Sequence, residues 1–196
     1  MKFRAALVLV SAALLSACGI NSVPTAEEAA KARWADVQAN YQRRADLIPN
    51  LVSTVKGAAG SEGKILSDVI NARAKATSIQ ITGDDLSDPA KVQQFQAAQD
   101  QLGGSLSRLL ASVEAYPDLK SQVGFQKLQD QLEGTENRIT ISIRDYNTAV
   151  QAYNTRIRTF PDAIGAKIFH GAKPMVPFEA KAGADTAPKV DFGNAG

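Results

Sequence analysis

The sequence predicts an all-α protein, an elongated antiparallel bundle of about four long helices closed by a C-terminal strap. Three observations predict it. Apolar residues recur at spacings of three and four through most of the chain, the period of one helix face. No stretch of any length alternates apolar and polar residues as a strand does. Ser, Thr and Asp stand where helices should begin, with Gly or Pro where they should end.

The first 17 residues are set apart from the fold. Lys2 and Arg4 precede an apolar run, residues 5–15, that is far shorter than the roughly 20 residues a membrane-spanning helix needs. This is the pattern of a secretory signal peptide. It ends in Leu15-Ser16-Ala17-Cys18, which resembles a bacterial lipobox. There cleavage precedes a cysteine that carries lipid. Cys18 is the only cysteine in the chain, so a disulfide within it is impossible. Its place at the mature terminus also argues against a nucleophile activated by a nearby base. Acylation, palmitate included, is the expected fate of Cys18. Removing Lys2 and Arg4 cancels the net charge of +2. With no basic stripe and no interleaved aromatics, nucleic acid is not expected as a partner. The mature chain fits one domain, with residues 18–25 as a lipidated terminus and short linker, 26–160 as the bundle and 161–196 as strap and tail.

The first helix is predicted over residues 26–59. Thr25 and Glu28 form a capping box. Trp34, Val37, Tyr41, Ala45, Ile48, Val52, Val55 and Ala59 mark its apolar stripe, whose phase passes through Pro49 without a slip. A loop would reset it, so one helix kinked at Pro49 is expected. Pro49 leaves the Ala45 carbonyl to find water or a polar side chain, Asn50 being the candidate. The alternative starts a new helix at Pro49, but neither Asp46 nor Ile48 suits its cap.

A second helix, capped by Ser61, carries Ile65, Val69, Ala72, Ala76 and Ile79. A third starts at Asp88-Pro89, cap and first-position proline in order, and carries Val92, Phe95, Leu102, Leu106, Leu109, Val113 and Tyr116. Pro117-Asp118 makes a turn. The longest helix, residues 121–160, carries Leu128, Leu132, Thr135, Ile139, Ile143, Tyr146, Val150, Tyr153, Ile157 and Phe160, a near-heptad seam that implies long antiparallel packing. No repeat is evident beyond the helical period. After Pro161 the chain turns rich in Gly, Ala and Pro. It keeps Ile168, Phe169, Met175, Val176, Phe178, Val190 and Phe192, more large apolar groups than a disordered tail carries.

"RRADLIPNLVSTVKG", "SLSRLLASVEAYPDLK", "FQKLQDQLEGTENRI", "RDYNTAVQAYNTRIRTFP" and "APKVDF" together resemble the LemA family of bacterial envelope proteins, over residues 29–192 and in the family's order. The resemblance implies an elongated helical domain held at a membrane outside the cytoplasm, with no agreed activity, no cofactor and no catalytic residues. Many such chains carry an uncleaved N-terminal membrane helix. Here the lipobox takes its place.

Candidate chemistry is thin. His170 is the only histidine, and no carboxylate or serine stands beside it in the sequence to make it catalytic. The Glu-x-x-His spacing of di-iron bundles does not occur, so no metal is expected. Arg44, Asp46 and Asn50 around Pro49, and Glu133, Glu136, Asn137 and Arg138 on the long helix, are candidate inter-helix polar contacts. Their bland reading is a solvated face with ion pairs of little worth. The expected protein is therefore not an enzyme. It is a membrane lipoprotein facing outside the cytoplasm, on the periplasmic face of the outer membrane if the source is Gram-negative, since Gly19 and not Asp follows the cysteine. Its partners are expected to be the membrane and other envelope proteins. The alternative is a small-ligand carrier or an enzyme with a site between helices, marked by a pocket on which several ionisable groups converge.

Overall fold

The computed structural model describes residues 2–58 and 63–179, with side chains from residue 21 onward. Among the described residues there are helices and no strands: α1 (Lys2–Ala58), α2 (Gly63–Ser78), α3 (Pro89–Val113), α4 (Pro117–Lys120), α5 (Val123–Arg156) and α6 (Asp162–Gly165). A 3-10 turn, Asp84–Ser87, leads into α3, and a π-turn, Ala166–His170, follows α6. The all-α class expected from the periodicity is the class observed.

α1 runs unbroken through Pro24 and Pro49. A proline forgoes one backbone bond, to the carbonyl four residues back. At Pro49 that carbonyl belongs to Ala45, and the Arg73 guanidinium of α2 donates to it from Nε at 2.8 Å. The expected donor was Asn50. That short side chain is exposed, and the backbone carbonyl of Asn50 accepts the Thr54 hydroxyl. A long side chain arriving from the neighbouring helix reaches the gap instead. The helix also begins earlier than expected. Thr25 does not cap it: its hydroxyl donates to the Asn21 carbonyl at 2.7 Å, a bond made inside a helix already formed. Residues 18–25, expected as a linker, have helical backbone.

α1 packs most extensively on α5, and α2 on α3. α1 and α5 are antiparallel, since Arg44 meets Glu136 and Trp34 meets Tyr146. Trp34, Val37, Ala45, Ile48 and Val55 of the predicted α1 stripe are buried, together with Leu51, whose neighbour Val52 is only half-buried. In α2 the buried face is Leu66, Val69, Ala72 and Ala76, one position on from Ile65 at its start. Ser61 and Ala59 lie outside the described residues. Asp88 caps α3 as expected, its carboxylate accepting from the amides of Ala90 (2.9 Å) and Lys91 (3.3 Å). Pro117-Asp118 opens a single helical turn in place of a simple turn. α5 is shorter than predicted, about 50 Å at 1.5 Å per residue. Leu132, Thr135, Ile139, Tyr146, Val150 and Tyr153 are buried on it, whereas Phe160, expected at the end of the seam, lies beyond it and is 82% exposed.

The core has two parts. One gathers Ile48, Leu51, Val55, Leu102, Leu109 and Phe125. The other gathers Trp34, Val37, Phe95, Tyr146, Val150 and Phe178. Between them, α1, α3 and α5 each place a polar residue, and these residues build the first part of the candidate site.

Candidate functional site

Arg44 of α1 is 3% exposed. Its Nη1 donates to Glu136 Oε1 of α5 at 3.0 Å. Its Nη2 donates to the Gln99 carbonyl of α3 at 3.0 Å and to Gln99 Oε1 at 2.8 Å. The Gln99 amide then donates from Nε2 to the Ala76 carbonyl at the end of α2, 3.2 Å away. One guanidinium thus links all four long helices, its own to α3 and α5 directly and to α2 through Gln99. Its Cζ also lies 4.9 Å from the centre of the Tyr41 ring, a cation–π geometry. A planar fork with five N–H donors suits such a node. Of its nitrogens, Nε is buried without a partner.

Of the predicted inter-helix contacts, the structure brings together Arg44 and Glu136. Asp46 instead accepts from Gln42 of its own helix at 2.7 Å. Glu133 lines a cleft beside Arg44, with Gly103 and Gly104 on the facing wall. Asn137 and Arg138 are exposed on the outer surface of α5. These positions fall off the buried face because the helix turns each neighbour by about 100°. Gln99 was not singled out from the sequence, because a glutamine in an otherwise apolar stripe resembles a surface residue slightly out of phase.

The second part is a clamp on the C-terminal strap. Gly171, in the left-handed region at φ +54°, ends the π-turn and sends the chain back as an extended segment. α5 holds that segment by its main chain. Asn154 donates to the Met175 carbonyl (2.8 Å) and accepts from the Met175 amide (2.9 Å). Asn147 does the same to Phe178, at 3.0 and 2.8 Å. The hydroxyl of Tyr153 donates to the Lys173 carbonyl at 3.0 Å, and that of Tyr146 to the Val176 carbonyl at 2.9 Å. The Val176 amide donates to the Leu86 carbonyl at 2.8 Å. Phe178 then packs on Trp34, ring centres 5.6 Å apart. A carboxamide satisfies one N–H and one C=O at once, as a neighbouring strand would. The sequence signal is a repeat: Tyr-Asn-Thr at 146–148 and again at 153–155, seven residues on. Seven residues make two helical turns, so both copies face one side. The expectation of no repeat beyond the helical period is thereby corrected. The strap was expected and is present. Ile168 and Phe169, however, are exposed, and Val190 and Phe192 lie outside the described residues.

Burial makes the tyrosines around the clamp weaker acids. The Tyr41 hydroxyl is pushed up to about 12 by desolvation, against the favourable field of Arg44. Tyr146 and Tyr153 are raised, again chiefly by desolvation. Beside the clamp lies an open groove of about 830 Å³ between α3 and α5, floored by Tyr41 and lined by Gln96, Asp100, Arg144 and Glu179. Gln96 Nε2 is a buried donor without a partner.

Cys18 and the preceding Leu15, Ser16 and Ala17 belong to the helical backbone of α1, and their side chains lie outside the described residues. Among the described residues no helix is long and apolar enough to cross a membrane. Among the same residues no group of three or more His, Cys, Asp or Glu is placed to hold a metal ion.

The fold and site define a class: a helical bundle pinned by a buried arginine and clamped along one face by its own C-terminal strap. The LemA family model matches residues 33–192, most of the chain, so the chain belongs to the LemA family. No curated protein matches the chain.

Proposed function

We propose that this chain is a lipid-anchored envelope protein whose bundle is a non-enzymatic scaffold for other proteins. One observation carries the scaffold reading. The residues equipped for chemistry inside the bundle, Arg44, Gln99, Asn147 and Asn154 with Tyr146 and Tyr153, direct their hydrogen bonds at the chain itself, joining helices and holding the strap. What supports the anchor is the lipobox Leu15-Ser16-Ala17-Cys18 together with membership of the LemA family. Processing before Cys18 would leave the mature chain starting in α1, with no flexible tether between lipid and bundle.

A second reading, a small-ligand carrier, is favoured by the groove between α3 and α5, where Gln96 Nε2 offers an unused buried donor. Two measurements decide. Clickable palmitate should label the wild type and not Cys18→Ala; equal labelling overturns the anchor. Photocrosslinkers at Gln93 and Thr148, on the groove walls, should trap a discrete polypeptide in cells that a crosslinker at Val123 does not. A lipid or metabolite trapped in its place overturns the scaffold in favour of the carrier.

A further inference from the structure

Seven large apolar side chains remain exposed among the described residues, and four of them fall within ten positions. Phe160 is 82%, Ile164 52%, Ile168 68% and Phe169 65% exposed. They sit on α6, on the π-turn and just before them, at one tip of the bundle. A patch of this kind is not needed for folding, and water disfavours it.

The register says which tip. Trp34 to Arg44 and Tyr146 to Glu136 are equal steps along antiparallel helices. Continuing the same count to the last residue of α5, Arg156 lies level with Pro24 of α1. At that level α5 ends, and the α1 backbone goes on towards the apolar stretch 5–15. Cys18 lies six residues further along α1, about 9 Å of helical rise. Any attachment through the N-terminus therefore leaves the bundle beside the patch. The segment that carries it is basic: Arg156, Arg158, Lys167 and Lys173 are exposed, and the only carboxylate between positions 156 and 173 is Asp162. Glu27, Asp84 and Asp88 face Lys173 and His170 across a cleft, which leaves Arg156, Arg158 and Lys167 as the basic edge. At the far tip, between positions 114 and 130, three acidic residues outnumber two lysines.

We propose that this tip is a second membrane contact: Phe160, Ile164, Ile168 and Phe169 enter the boundary between headgroups and acyl chains of an anionic phospholipid bilayer, and Arg156, Arg158 and Lys167 meet the phosphates. Apolar and aromatic groups under a Lys/Arg-rich rim are the composition of interfacial segments. The contact adds to the lipid anchor, and so rests on the anchored reading. It fixes the bundle's angle to the membrane, which a lipid on a free tether would not do.

The test uses the full-length chain purified from membranes and reconstituted in phosphatidylethanolamine–phosphatidylglycerol vesicles with brominated acyl chains. Phe169→Trp and Val123→Trp are compared after subtracting the emission of the parent chain, whose Trp34 is buried. The Phe169→Trp emission should be quenched and Val123→Trp, 79% exposed at the far tip, should not. Quenching should weaken in phosphatidylcholine vesicles. Protein that floats with the vesicles while Phe169→Trp stays unquenched overturns the second contact and leaves the anchor standing. Protein that does not float overturns the anchor, and the contact with it. A concentration-dependent blue shift of Phe169→Trp without vesicles overturns the contact as well, by assigning the patch to a second copy of the chain.

Discussion

At the scale of single residues, Arg44 has the most to lose. Its partner Glu136 is 48% exposed on its side chain, so the ion pair itself is weak. Gln99 Oε1 is buried with it, and truncating Arg44 strands that oxygen, whereas the Gln99 carbonyl keeps its bond within α3. Arg44→Ala is expected to lower stability by about 1–3 kcal/mol, the cost of leaving a buried acceptor unsatisfied. Glu136→Gln keeps an acceptor in place and should cost about 1 kcal/mol or less. Urea denaturation of the two variants checks this. Equal losses would mean that the ion pair, and not the buried glutamine, dominates the node.

At the scale of elements, Pro49 and the strap make separate predictions. Proline in a helix interior costs about 3 kcal/mol, but here the orphaned Ala45 carbonyl already has the Arg73 guanidinium. Pro49→Ala should therefore stabilise by much less, within about 1 kcal/mol of zero. Arg73→Ala should cost more in the parent chain than in the Pro49→Ala background, because only with the proline does it leave the carbonyl unpaired. A double-mutant cycle measures that coupling, and no coupling would detach Arg73 from the proline's role. For the strap, Asn147→Ala and Asn154→Ala each remove two main-chain bonds and should each cost about 1–3 kcal/mol. Hydrogen exchange should then quicken at the amides of Phe178 and Met175 respectively and stay unchanged in α2. Uniform quickening throughout would show the strap to be part of the global unfolding unit.

At the scale of the whole molecule, the polar node divides the core into halves that differ in chemistry. Tyr41, Tyr146 and Tyr153 all pack in the half containing Trp34. Their folded-state values are raised above the ordinary 10.0. A raised tyrosine stays protonated longer when folded, so its contribution is fully present below pH 10 and is lost as the pH climbs towards about 12 for Tyr41. Alkaline unfolding should start in this half and be reported by the lone tryptophan, with Tyr41→Phe less sensitive over that window. Trp34 emission that follows the same curve in Tyr41→Phe would assign the loss to other groups.

Much of the fold was legible along the chain. The three-four spacing identified the helices and most of their buried faces, Asp88-Pro89 marked the start of α3, and the phase through Pro49 predicted an unbroken helix. These are local properties, written in consecutive residues. The Tyr-Asn-Thr repeat was legible too, but its meaning required the strap to lie beside it. Only the tertiary structure decided which long side chain reached Ala45, that Gln99 faced Arg44, and that Phe160 fell outside the core. Each depends on where another helix, distant in sequence, comes to rest. Periodicity states which face of a helix is apolar; the partner that face meets is set by how all the faces pack together.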